Sequence, residues 1–304
     1  MLDASVIICA HNPRPNYLRR TLDALRHQTL PVEKWELLLI DNLSKDRLES
    51  NWDISWHPNG RHVLEGELGL THARQRGMHE SSAELLVFVD DDNVLNPNYL
   101  AEATSIGRAW PELGVWGSGS TVPEFELEPP DYLKELVPYV ALRRADAPHW
   151  SNVPTCDWAA PYGAGLCVRT NVATAYGQHL KRSPIHISDR RGRTLLSGGD
   201  IEIGYVACSM GLGMAIFPEL RLTHLIPKER ITKSYLLRLY EGTLMSNYLL
   251  AYKWRRAFPR NSLTILGLLD LLANALIRRG IQRNMFFAQK RAARKALQII
   301  RAAG

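Results

Sequence analysis

The sequence is short of the features that would send it to a special class. It has four cysteines, Cys9, Cys156, Cys167 and Cys208, none in a Cys-x-x-Cys pair. Neither a zinc site nor a disulfide framework is expected, and a reducing compartment fits. No apolar run is long enough to cross a bilayer. The longest, Leu263–Ile277, is broken by Asp270 and Asn274 and falls short of the ~20 residues a span needs. The opening MLDASVIICAHN has no basic leader, so a secretory signal is not expected. Glycine and proline show no period, which excludes a collagen-like chain, and there is no internal repeat or low-complexity tract. What is present is ordinary for a globular protein: 45% hydrophobic and 22% charged residues over 304 positions. That is enough apolar surface to offset the entropy of ordering, so extensive disorder is excluded. The length suits two domains or one large α/β domain.

Charge is unevenly spread. Residues 251–304 hold 3 Lys, 9 Arg and a single Asp, a net +11, which leaves −5 for the other 250 residues of a chain at +6. An acidic body with a basic tail suggests ion chemistry in the first and docking to an anionic surface by the second.

The first hundred residues read as β-α-β-α-β. Ser5–Cys9 is a short unbroken apolar run, as expected of a strand buried on both faces, and Trp35–Ile40 and Leu85–Val89 read as a second and a third strand. Leu18, Leu22 and Leu25 share a helical face, as do Leu70, Ala73 and Gly77. Asn96-Pro97 reads as a helix start, a capping side chain followed by proline. The expected class is α/β with a doubly wound, mostly parallel sheet, whose ligands bind at the carboxyl ends of the strands. Residues 111–160 are rich in Pro, Trp and Glu with weak periodicity, residues 161–224 return to short strands and one helix after Asp200, and the chain is helical from about Ile231. The expected division is a catalytic domain over 1–230, with a nucleotide-binding half (1–110) and an acceptor-side half (111–230), and a basic helical extension over 231–304.

The strand ends carry the chemistry. Asp90-Asp91-Asp92 follows LLVFV. In an extended segment Asp90 and Asp92 point to one side, and two converging carboxylates suit Mg²⁺ or Mn²⁺ completed by substrate phosphates. The alternative is a solvated acidic turn. Asp41-Asn42 after WELLLI can read a nucleobase or ribose edge, or can form an Asx-turn. Ala10, His11 and Asn12 end the first strand and either touch a ligand or turn the chain. Asp200, in SGGDIE, is a helix N-cap or a general base, with Glu202 near enough to share its site. His224, in LRLTHLIP, is a structural histidine unless a metal needs a further ligand. Arg74 lies on a helix and can neutralise phosphate or face solvent. Position alone assigns Trp116, Glu124, Trp150, Trp158 and the Arg190, Arg191, Arg193 loop to the acceptor side.

The order of these motifs resembles the family 2 glycosyltransferases of the GT-A fold. The matching pieces are SVIICAHN, LLLIDNLSKD, GLTHARQRGMHESSAELLVFVDDDNVLNP, GAGLCVRT, SDRRGRTLLSGGDIEIGYVA and LRLTHLIP, covering roughly residues 4 to 230. The resemblance implies that the Asp-x-Asp motif holds the metal through Asp90 and Asp92, with Asp91 on the nucleotide. It implies that Asp41, with Ala10, His11, Asn12, Asn42 and Arg74, binds the nucleotide. It implies Asp200 as catalytic base and His224 as a metal ligand. Gly199 stands where the family often has Glu, which leaves the role of Glu202 open. The implied activity is inverting transfer of a sugar from a nucleotide-diphosphate sugar, a UDP-sugar first, to a saccharide or lipid-linked acceptor in polysaccharide or glycolipid synthesis. The expected location is cytoplasmic, including the inner face of the cell membrane.

The last helix places Lys290, Arg291, Arg294, Lys295 and Arg301 on one arc and Phe286, Ala293, Leu297 and Ile300 on another. It either lies on an anionic bilayer or packs on the body with a solvated outer face. Two rivals carry less. A nucleotidyltransferase would need a Gly-rich phosphate loop that HNPRPN does not supply. A nucleic-acid binder would interleave aromatics with the basic run, which this chain does not do, so no nucleic acid is expected as a partner.

Overall fold

The computed structural model describes residues 1–155, 158–185, 187, 189, 195–259 and 277–303. The Arg190, Arg191 and Arg193 loop and nearly all of the Leu263–Ile277 run lie outside the described residues.

The chain begins with a parallel α/β layer. Strands β1 (Ala4–Ala10) and β2 (Trp35–Asp41) are almost wholly buried, as their largely apolar sequence requires. Helix α1 (Pro15–Arg26) joins them, starts with proline, and buries Leu18, Thr21, Leu22 and Leu25 at helical spacing. A short helix α2 (Leu48–Asn51) precedes β3 (Gly60–Leu64), and α3 (Leu70–Glu80) leads to β4 (Leu85–Asp90). Strand β1 pairs in parallel with β2 and β4, and β2 with β3. The sheet then continues antiparallel. After β5 (Asn93–Leu95), α4 (Tyr99–Ala109), β6 (Leu113–Phe125), β7 (Arg143–Arg144), β8 (His149–Ser151), β9 (Leu166–Arg169), α5 (Thr170–Arg182), α6 (Gly199–Ser209) and β10 (Gly213–Ile226), the strand order is β3-β2-β1-β4-β9-β6-β10-β5, with β7 on β6 and β8 on β10. Among the described residues, the helices α7 (Lys233–Arg255) and α8 (Gly280–Ala303) follow.

Three local expectations are corrected. The strand β3 was not expected: only Val63 of GRHVL is buried, so the apolar signal of a strand is missing at this sheet edge. Helix α4 starts at Tyr99 rather than at Pro97. Asn96 is held to β10 by its N–H to the Arg221 carbonyl, while its own carbonyl accepts from Tyr99 N–H. The stretch after Pro111, aperiodic in sequence, opens with the long strand β6. Its small residues hide the pattern by allowing close approach: a Cβ on Gly119 would lie 2.6 Å from the Phe217 carbonyl carbon of β10.

The described chain forms two compact units. One comprises residues 1–124, 141–182 and 199–226, and holds nearly all of the sheet and the candidate nucleotide, metal and base residues. The other comprises residues 125–140, 183–198 and 227–304. In this second unit α7 packs against α8 and the 3₁₀ helix Asp131–Tyr139. Tyr139 meets Tyr240 edge-on at 4.8 Å, and Glu241 bonds Arg291 at 2.8 Å and Lys295 at 2.7 Å. No helix among the described residues is long and apolar enough to cross a membrane.

Candidate active site

Three clusters form at the carboxyl ends of β1, β2 and β4. The first is a stitched rim. Ala10, buried at the end of β1, supplies only its carbonyl, which accepts from Asn42 N–H at 2.9 Å. Asn42 is itself buried; its Nδ2 donates to the Glu67 carbonyl at 2.7 Å and its Oδ1 accepts from Gly69 N–H at 2.8 Å. His11 Nδ1 pairs with the Asn42 carbonyl at 2.8 Å. Asn12 takes a left-handed backbone, φ 50°, which asparagine tolerates better than most residues. Its N–H donates to Ser44 Oγ at 3.0 Å and its Oδ1 accepts from Lys45 N–H at 2.8 Å. Asp41 is buried, and its two oxygens accept from Ser44 N–H at 2.8 Å and Leu48 N–H at 3.1 Å. The turn-forming alternative is therefore realised at Asp41, whose carboxylate shapes the loop that frames the rim.

The second cluster surrounds the acidic triplet. Asp90 ends β4, but Asp91 and Asp92 form a turn, so strand alternation does not set their directions as expected. Asp90 Oδ1 lies 3.9 Å from the buried guanidinium of Arg74. Asp92 is buried, accepts from Asn93 Nδ2 at 3.0 Å, and has Oδ2 3.6 Å from His224 Nε2. The register explains the last contact: His224 of β10 sits opposite Asn93 of β5. Cys9 pairs with Asp90 in the sheet, and burial, reinforced by Asp90 and Asp91 against Arg74, pushes its thiol up to about 12. It stays a neutral thiol and is no nucleophile.

The third cluster is built on α6. Asp200 is buried at the foot of this helix. Its Oδ1 accepts from Ile201 N–H at 2.9 Å, and its Oδ2 accepts from Gly163 N–H at 2.7 Å. Gly163 also abuts Arg74: a Cβ there would stand 2.2 Å from Arg74 Nη2 and 3.5 Å from Asp200 Oδ2. The Gly163 turn thus links the second and third clusters. Sequence reasoning missed its role, although the Gly-Ala-Gly turn was the available signal. Glu202 does not share the Asp200 site as expected. It is fully buried and pairs with His179 Nε2 of α5 at 3.1 Å. Trp116, expected on the acceptor side, is a fully buried core residue. Glu124 is bonded to Arg20 at 2.8 Å, whereas Trp150 and Trp158 are exposed.

Among the described residues no three His, Cys, Asp or Glu side chains gather to enclose a metal. Asp92 and His224 instead offer one oxygen and one nitrogen 3.6 Å apart, too far for a hydrogen bond. Those two donors fit a hard divalent ion that takes the rest of its shell from a ligand's phosphates.

Comparison with known proteins bears on this arrangement. Residues 5–105 match Glycosyl transferase family 2. The matched segment runs from β1 into α4 and is about a third of the chain. A curated relative, glycosyltransferase AglE of Haloferax volcanii, is 32% identical over 104 residues, which is 33% of this chain and 34% of the relative. The match thus spans about a third of that relative's length. Solved structures extend the likeness over the whole fold. TarS residues 1–349 of S. aureus cover 100% of this chain and 92% of their own at TM-score 0.53 and 13% identity. The mannosyltransferase PcManGT from Pyrobaculum calidifontis, in complex with GDP-Man and Mn²⁺, covers 99% and 74% at TM-score 0.58 and 18% identity. GalNAc-T7 with UDP, GalNAc and Mn²⁺ covers 84% and 48% at TM-score 0.56 and 17% identity. The α/β sheet with its helical C-terminal region is the GT-A fold.

Proposed function

We propose that this protein is an inverting glycosyltransferase that moves a sugar from a nucleotide-diphosphate sugar to an acceptor hydroxyl. The observation that carries the proposal is Asp200, buried and fixed from a distance by the Gly163 amide beside the Arg74–Asp90 pair. A carboxylate whose lone pairs are partly claimed by backbone N–H groups is held in one direction, as a general base requires. Asp200 takes the proton of the acceptor hydroxyl as its oxygen attacks the anomeric carbon. The bond to the leaving diphosphate breaks on the opposite face, so the configuration inverts, through a transition state of oxocarbenium character. Arg74, buried next to Asp90, lends positive charge to the diphosphate as it departs. Asp92 and His224, with Asp90, would hold Mg²⁺ or Mn²⁺, which when bound stabilises the developing negative charge as a Lewis acid. The rim of Ala10, His11, Asn12, Asp41 and Asn42 frames the nucleotide in the first half of the catalytic domain, with Asp91 on the same side. The acceptor, a saccharide or a lipid-linked one, approaches from the half that follows residue 110.

The donor is a UDP-sugar or a GDP-sugar, the two nucleotides named with the metal-bound structural relatives. A thermal-shift panel of nucleotide sugars, each with Mn²⁺ and with chelator, tests this. One donor should raise the melting temperature with Mn²⁺ and lose most of that shift in chelator. A flat panel would remove the donor reading.

A further inference from the structure

A cavity of 660 Å³ lies on the α1 side of the sheet, between α1 and residues 46–56. It belongs to none of the three clusters, but Asn12 and Asp46 carry it to the edge of the rim. Its size falls within the ~300–1,000 Å³ of ligand pockets. Two tryptophans, Trp52 and Trp56, form part of its wall and are only half-buried. Both pack against the hydrophobic core, and Trp56 is further held by the Arg26 guanidinium over one face at 5.0 Å and by an edge-on contact with Trp35 at 6.4 Å. The remaining wall mixes Pro13, Pro15, Leu22 and Leu48 with polar side chains. Arg19, Asp23 and Asp46 all face the cavity, and their side chains form no hydrogen bond or ion pair among the described residues.

We infer that this cavity is a second, accessory binding site for a neutral saccharide. Two arginines and three aspartates line it, a net charge of −1, which opposes a phosphate or carboxylate ligand. A sugar hydroxyl both donates and accepts, so it is served by a wall that sets guanidinium donors beside carboxylate acceptors. The apolar C–H face of a pyranose ring lies against an aromatic face, and a fixed indole presents that face at little cost in entropy. The inference goes beyond the donor reading and stands without it. If that reading holds, the position next to Asn12 suits a remote unit of a saccharide acceptor or product.

The test titrates the full chain with maltotriose, cellotriose, mannotriose and tri-N-acetylchitotriose, followed by saturation-transfer NMR and tryptophan fluorescence. At least one should bind with a Kd in the millimolar range or tighter. Arg19→Ala and Asp23→Ala should each weaken it about tenfold, leaving the melting temperature and any nucleotide-sugar shift unchanged. Binding of none of the four, or affinities unaltered in both variants, would overturn the site. A flat nucleotide-sugar panel beside intact trisaccharide binding would remove the donor reading alone.

Discussion

Asp41 and Asp200 are alike as single residues. Each follows a turn or strand end, each is buried, and each gives both oxygens to backbone amides. The difference is where those amides come from. Asp41 bonds only residues three and seven places on, which is loop construction. Asp200 bonds Gly163, 37 residues back, which ties two distant segments at one point. Residue type and spacing singled out both aspartates, but which one is spent on its own loop depends on folded geometry. Asp200→Asn keeps an oxygen for the Gly163 amide and loses the base. Nucleotide-sugar affinity should hold within a few-fold while turnover falls by ~10²–10⁴, the worth of a general base. Turnover above a tenth of wild type would refute the assignment. Gly163→Ala probes the tie itself. The new methyl meets Arg74 Nη2, the far end of a flexible side chain, and shifts it together with the Asp200 contact. A displacement near 1 Å costs about 10²-fold in rate. The loss should appear in kcat more than in KM. In an Arg74→Lys background it should shrink, because the obstructing guanidinium is gone. Equal losses in both backgrounds would show that Gly163 acts only on local stability.

At the scale of elements, legibility followed burial. β1, β2 and β4 are mostly apolar and readable, because parallel strands covered on both faces leave few polar positions, among them Ser5 and Glu36 bonded to each other. β3 is an edge strand and β6 packs through glycine and serine, so neither carries the period that marks a strand. The segment between α2 and β3 was equally silent, yet it holds an aromatic nest. His57 lies 4.1 Å from Trp35 and 5.4 Å from Trp56, and is 2% exposed. Burial pulls its pKa down to about 4, only partly offset by Glu36. The imidazole is thus neutral in the folded protein, whereas the unfolded chain binds a proton below about 6.5. The stability His57 contributes is complete above that value and is lost as pH falls toward 4. Between pH 7 and pH 4.5 the loss amounts to about 2–3 kcal/mol. Urea melts at the two pH values should show wild type losing that much more than His57→Gln. Parallel losses in the two proteins would place the titration elsewhere.

On the scale of the whole molecule, likeness in sequence and likeness in fold divide the chain differently. Family likeness in sequence stops at residue 105, whereas likeness in fold runs through the entire chain. The sequence match therefore ends within α4, and the rest of the chain shares the fold without it. The basic C-terminal stretch lies in that second part. Its amphipathic pattern was legible, but the pattern alone left open what covers the apolar arc. In the structure Phe286, Ala293 and Ile300 are buried, α8 packs on α7, and Arg291 and Lys295 are bonded to Glu241. The apolar arc is therefore occupied, and membrane docking, which we propose, rests on charge alone. Arg283, Arg294 and Arg301 remain exposed on α8. Each basic residue near an anionic surface contributes about 1 kcal/mol, so the three together are worth roughly a hundredfold in partitioning. Full-length protein should float with phosphatidylglycerol-containing vesicles at low salt and not with phosphatidylcholine alone. It should be released as ionic strength shortens the screening length. Replacing the three arginines by alanine leaves the α7–α8 packing intact and should abolish flotation. A triple variant that floats as well as wild type would move the membrane contact off this helix.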